Sequence, residues 1–198
     1  MSEHMICGER FASGRIHYFY GQAEMKPLID PKTGLPVYKR AFLVYKIPLF
    51  EFTNEQTSPL TFVAPDGLHY RPYHHFVTDG GSIPRFLWAV PFVRLGPWDF
   101  PRAYPFHDSG FTYGGLYRLE DGGLYRLEDG VFVFRRMSRT RLNEALGDMI
   151  RADSGSVVDE GTVELGLKLG SSFCWDEKAQ AANRKRDNVV EGKPDDSI

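Results

Sequence analysis

Apolar and polar residues alternate with a short period through the first eighty positions of this chain and with a longer one afterwards. Arg15 to Tyr20 is aromatic and β-branched, and a second apolar run extends from Tyr38 to Phe52. Side chains of that kind suit a pleated, half-buried surface, so both stretches predict strands. Between them, Asp30-Pro31-Lys32-Thr33-Gly34 is turn chemistry, because Asp bonds to backbone two residues on and Gly supplies a positive φ. Pro48 predicts an edge position or a bulge, since it has no N–H to give to a ladder. Leu60 to Val63 and Leu68 to Tyr70 flank Pro65-Asp66-Gly67 and predict a hairpin.

Helical signals follow Arg85. Asp99, with Pro101 two residues on, predicts a helix start, and Pro105 predicts that the helix is short or irregular. Ser138 is a good N-cap for a helix that places Leu142, Ala145, Leu146, Met149 and Ile150 on one stripe and ends at Ser154-Gly155. A second helix is expected over 159–169, with Phe173 and Trp175 as core anchors. From Asp176 the chain is polar and charged, which predicts a frayed, disordered tail over 176–198. The whole reads as a single α+β domain over 14–175, preceded by a segment 1–13. Its N-terminal part is a mostly antiparallel sheet, with C-terminal helices packed on it.

Gly-Gly-Leu-Tyr-Arg-Leu-Glu-Asp occurs at 114–121 and again at 122–129. Two short copies do not make a solenoid. The even period keeps the in/out alternation of a strand, and each copy runs into an Asp-Gly turn signal, so a strand-turn-strand excursion with a structural role is expected.

Composition narrows the classes. With 198 residues, 42% of them hydrophobic, the chain can bury a core of its own. A formal charge of -2, from 24 basic against 26 acidic residues, supplies no field for polyanions, so no nucleic-acid partner is expected. Cys7 and Cys174 form no CxxC pair, which argues against a zinc knuckle or redox dithiol and for a reducing compartment. There is no apolar run of about 18 residues and no signal-peptide pattern, so no membrane insertion is expected.

Two polar stretches stand out for chemistry. In Thr78-Asp79-Gly80-Gly81-Ser82-Ile83-Pro84-Arg85, two glycines sit between a carboxylate and a hydroxyl, so one turn can aim Asp79 and Ser82 into a common cleft or be held by its own side-chain hydrogen bonds. Arg85 suits an anionic group, or a pairing with Asp79. His107-Asp108 lies among Tyr104, Phe106, Phe111 and Tyr113. Such a pair can ligate a divalent metal if the backbone turns both side chains to one side. Alternatively the His is a general base oriented by a carboxylate, or simply a hydrogen-bonded core residue. His69, His74 and His75 lie on the approach to Asp79, and alternation along a strand allows at most one of the adjacent pair to join the site. The chain contains no HExxH helix, GxSxG elbow or GxxxxGK[ST] loop.

At these residues the chain resembles a phage and prophage family catalogued as domain of unknown function 1353. The likeness covers roughly residues 40 to 175. It consists of a strand running into Phe76-Val77 and the TDGGSIPR motif at 78–85 with Trp88 after it, then Ala103 to His107-Asp108, then a helical end with Gly170 and Trp175. Where family members follow the HD pair with Tyr and aliphatic residues, this chain has Ser109-Gly110. Where they carry an acidic residue early in the next helix, it has Asn143, an uncharged oxygen donor and a weaker metal ligand. The resemblance implies phage origin.

Two functions fit these residues. One is a metal-dependent hydrolase of a cell-wall amide or similar bond, with Asp79, Ser82, His107 and Asp108 as catalytic residues. Asp79, His107 and Asp108 would be its metal ligands, Asn143 or Asp148 completing the set, and Arg85, Trp88 and Asn143 would bind substrate. The other is a non-enzymatic virion, tail-associated or host-interaction protein, with phage structural proteins as partners, in which the same cluster locks loops together. The expected location is the cytoplasm of the bacterial host or the virion.

Overall fold

A computed structural model describes residues 7–10, 16–41, 45–54, 57–79, 100–120, 131–154, 161 and 175–192. It has the expected α+β architecture, with antiparallel sheets formed mostly by the N-terminal part and helices mostly in the C-terminal part. The eleven strands among these residues are β1 (Cys7–Arg10), β2 (Ile16–Tyr20), β3 (Ala23–Pro27), β4 (Tyr38–Ala41), β5 (Tyr45–Pro48), β6 (Phe50–Asn54), β7 (Thr61–Val63), β8 (His69–Arg71), β9 (His75–Thr78), β10 (Gly115–Glu120) and β11 (Val131–Arg136). They form a six-stranded sheet in the order β1-β2-β7-β8-β10-β11, a three-stranded sheet β3-β6-β9 and a two-stranded ladder β4-β5. Helices α1 (Tyr104–Tyr113), α2 (Arg139–Ser154) and α3 (Glu177–Arg186) complete the described elements.

The turn signals act as expected. Asp30 accepts from the Lys32 N–H at 2.8 Å and Gly34 takes φ 69°. In the β7-β8 hairpin Phe62 faces Tyr70 and Val63 faces His69, with Gly67 at φ 85° between the strands. The 38–52 run is not one strand. Tyr38 to Ala41 folds back on Tyr45 to Pro48, and a new strand begins at Phe50. Pro48 marks the boundary between β5 and β6. It closes a two-stranded ladder, both of whose strands are edges, and so need not donate where β6 pairs with β3 and β9.

Helix α1 begins later than the Asp99 signal suggests. Ala103 is its N-cap, and Pro105 falls in the first turn, where a missing N–H costs nothing, so the helix is regular. It is also the hub of the molecule, touching α2, α3, β9 and β10. Phe106 reaches between β2 and β7, with ring centroids 5.7 Å from Phe19 and 6.4 Å from Phe62. Arg102, just before α1, is pinned to Asp153 near the end of α2 by a 2.6 Å contact. On α2, Ser138 accepts from the Arg141 N–H, and the whole predicted stripe from Leu142 to Ile150 is 0–8% exposed. Leu142 lies against Gly110 so closely that a Cβ there would meet it at 2.6 Å.

The expected disordered tail is corrected over 177–186, which form α3. Asp176 caps the helix by accepting from the Lys178 and Ala179 N–H groups, Glu177 sits in the first turn, and Arg184, Lys185 and Arg186 in the last, each complementing the helix dipole. The helix docks through polar side chains, which is why apolar periodicity is silent there. Among the described residues no helix is long and apolar enough to cross a membrane. The expected helix over 159–169, apart from Gly161, lies outside the described residues, as do Asp99, Phe173 and the second repeat copy. Trp175 is a half-buried flank of the core, set edge-on to Phe111 at 5.2 Å.

Candidate functional site

The two polar stretches meet. β9 delivers Thr78 and then Asp79, both buried, against the first half of α1. The Thr78 hydroxyl donates to Asp108 Oδ2, and one residue further along α1 the Ser109 hydroxyl accepts from the Tyr73 N–H at 2.7 Å. The strand of the glycine motif is thus tied to the helix of the His-Asp pair. Asp79 is the next residue after the Thr78 anchor and is 8% exposed.

His107 lies beside this anchor. Its Nδ1 is 3.7 Å from Asp108 Oδ1, within ion-pair range but too long for a hydrogen bond. Its ring packs on Phe111 with centroids 4.2 Å apart. Nε2 is buried and has no hydrogen-bond partner among the described residues. A buried polar atom in that state is uncommon and costs about 1–3 kcal/mol. Both the His107 and Asp108 side chains keep 16% exposure, so the pair sits at the margin of the core.

The proposed metal trio is not assembled. No group of three or more His, Cys, Asp or Glu side chains that could hold a metal occurs among the described residues, Asp79, His107 and Asp108 included. The physical reason is helical geometry. Consecutive residues on an α-helix point about 100° apart, and although His107 Nδ1 and Asp108 Oδ1 come within 3.7 Å, Asp108 is turned to Thr78 and no third ligand-type side chain joins the pair among the described residues. The upstream imidazoles are engaged elsewhere. His69 Nδ1 is 3.1 Å from the Tyr20 hydroxyl, His74 stacks on Tyr73, and His75 meets Glu51 across the β6-β9 ladder. Burial and Arg71 push the His69 pKa down. Asn143 is half-buried and follows Leu142, the residue that covers Gly110 one turn beyond His107. Ser82, Arg85 and Trp88 lie outside the described residues.

Sequence reading missed the network at the other end of α1. Gln180 Nε2 donates to the Phe111 carbonyl at 3.1 Å, Asn183 Nδ2 to Thr112 at 3.0 Å, and Arg184 Nη1 to Tyr113, while the Gly114 N–H closes on Gly110. The last four carbonyls of the helix are all satisfied. The Tyr113 hydroxyl donates to Asp187 Oδ2 and the Tyr73 hydroxyl to the Asp187 carbonyl, each at 2.9 Å. Arg186 and Tyr113 hold the Asp187 carboxyl below its usual range, against the opposing effect of burial. Burial, with help from Asp187, raises the Tyr113 hydroxyl well above its ordinary value. Burial pushes Tyr117 up to about 12. The available signal was the i, i+3, i+4 spacing of Gln180, Asn183 and Arg184 behind a good N-cap.

Comparison with family models, with curated proteins and with solved structures found no match for this chain.

Proposed function

We propose that this protein is a hydrolase in which His107 is the general base, the Asp108 carboxylate 3.7 Å from its Nδ1 stabilises the imidazolium that forms, and Thr78 holds Asp108. The observation that carries the reading is the asymmetry of the imidazole: Nδ1 faces a carboxylate anchored from a neighbouring strand, and Nε2 is left buried without a partner among the described residues. In this scheme Nε2 takes a proton from water as the water oxygen attacks an amide carbonyl. The C–N bond then breaks, and the imidazolium returns its proton to the departing amine. In this scheme Asp79, the residue after the anchor, would accept a hydrogen bond from the substrate amide N–H or the attacking water. A cell-wall amide is the proposed substrate class and phage origin the proposed context, both resting on the resemblance of residues 78–85 and 103–108 to the phage family. The site of action is then the host cytoplasm or the virion, with no nucleic-acid partner.

A second reading is favoured by the Thr78–Asp108 and Tyr73–Ser109 hydrogen bonds: a non-enzymatic phage module in which the cluster joins sheet to helix and phage structural proteins are the partners. Release of soluble fragments from purified peptidoglycan separates the two, measured with wild type and His107→Gln alongside their melting curves and the metal content of untagged protein. The hydrolase reading expects release by the wild type, a loss of about 10²- to 10⁴-fold in His107→Gln, and an unchanged Tm. No release by the wild type, together with a lower Tm in the variant, would establish the structural reading instead. Stoichiometric metal whose removal abolishes release would return the reaction to a metal-activated water.

A further inference from the structure

Side chains alternate across the six-stranded sheet, so its two faces carry different chemistry. Phe19 and Phe62 pack on Phe106 and thus face the helices. Their chain neighbours Tyr20 and Thr61, paired across β2 and β7, belong to the opposite face. So do His69 and Arg71 on β8, because Tyr70 between them is the residue paired with Phe62. Arg71 in turn pairs with Tyr117 on β10. Along β2, β7, β8, β10 and β11, the positions that share this second face hold no Asp or Glu among the described residues.

Arg71 is half-buried there and held on two sides. Its Nε–H donates to the Thr61 hydroxyl at 2.9 Å, and its guanidinium carbon lies 3.6 Å from the centre of the Phe132 ring on β11. Thr61 is itself fully buried and fixed by donating to the Pro59 carbonyl. These contacts set the plane of the guanidinium and leave N–H groups along its edge. No carboxylate pairs with Arg71 among the described residues, and burial lowers its pKa with only Tyr20 in opposition. His69 stands two residues away on the same face. Burial and Arg71 lower its pKa too, so the ring is neutral at neutral pH. Because Arg71 can only donate, the Tyr20 hydroxyl beside it accepts from the guanidinium and gives its own proton to His69 Nδ1, 3.1 Å away. The ring proton of His69 then sits on Nε2, a second donor beside the guanidinium.

We propose that Arg71 and His69 form a binding site for one carboxylate group, on the sheet face turned away from Phe106. A guanidinium edge suits the two coplanar oxygens of a carboxylate. One cation beside a neutral imidazole also matches a single negative charge better than the larger charge of a phosphate. Leu119, two residues beyond Tyr117 on the same face, is paired with Phe132, and both are half-buried. They offer contact to the apolar remainder of the ligand, whose chemical class is therefore a small aryl or alkyl carboxylate. The site shares no residue with the His107 cluster and does not depend on hydrolysis there.

Titration of the complete, isotope-labelled chain with benzoate, acetate and inorganic phosphate at matched ionic strength tests the site, followed by NMR at the Arg71 Nε–Hε and His69 ring signals. Carboxylate binding predicts saturable shifts at both residues, with benzoate the tightest and phosphate the weakest. Arg71→Lys keeps the charge but loses the planar fork, and should weaken benzoate by about 10-fold or more, read at His69. Phe132→Leu leaves the guanidinium unstacked and should weaken it by about 3-fold, which decides the point should Arg71→Lys not fold. Shifts that chloride reproduces, or a benzoate affinity equal in wild type and variants, would overturn the proposal and leave Arg71 as a bridge between β7 and β11. Phosphate binding tighter than benzoate would overturn the assignment to a carboxylate.

Discussion

The two halves of α1 are built from the same backbone and treated in opposite ways. At the C-terminal end every one of the last four carbonyls has a donor, three of them side chains of α3 placed on one helical face. In the first half, the imidazole of His107 keeps a buried nitrogen without a partner among the described residues, three positions from the Gly110 carbonyl that Gly114 closes. What sets this nitrogen apart is its place beside the Thr78–Asp108 bond, where a ligand or substrate that paired with it would repay its cost.

The contrast predicts effects of different sizes. Arg184→Ala removes the donor to the Tyr113 carbonyl and the 2.6 Å partner of Glu191, leaving a helix end and a carboxylate short of a bond. Chemical denaturation should show a loss of about 2–4 kcal/mol. A loss below about 1 kcal/mol would mean that water replaces α3 without penalty. Gly114→Ala forces a left-handed Cβ against Gln180 and Arg184, and should cost about 1–3 kcal/mol. The loss should shrink in the Arg184→Ala background, since both changes break the same contact. Alkaline pH attacks that end too. Tyr73, Tyr113 and Tyr117 all have pKa values raised by burial above the ordinary 10.0. The stability they contribute is thus complete below pH 10.0 and lost as pH rises from there toward about 12 for Tyr117. Denaturation midpoints measured from neutral to alkaline pH should stay level and then fall; a fall beginning well below pH 10 would contradict this.

Much of the fold was legible because its signals were local. The Asp30 and Gly67 turns, the Ser138 cap and the Leu142 to Ile150 stripe each arise from residues close in sequence, and each reads the same way in the structure. The 38–52 run misled because apolar content alone does not show where a chain folds back. Helix α3 was invisible to hydrophobic periodicity because the side chains it buries are Gln180 and Arg184, whose partners are carbonyls at the end of a distant helix. The candidate site was half legible. Its residues could be named from the glycine turn and the HD pair, but the Thr78–Asp108 bond joins positions thirty apart, and the turning of Asp108 to Thr78 depends on the pair lying within a helix packed against β9.

The most direct test of the claim that His107 serves a reaction and not the fold is the thermal stability of His107→Leu, which preserves side-chain volume against Phe111 while removing the unpartnered nitrogen. A functional imidazole predicts a Tm equal to or above that of the wild type. A fall of several degrees would show that His107 is a structural part of the core and contradict the account.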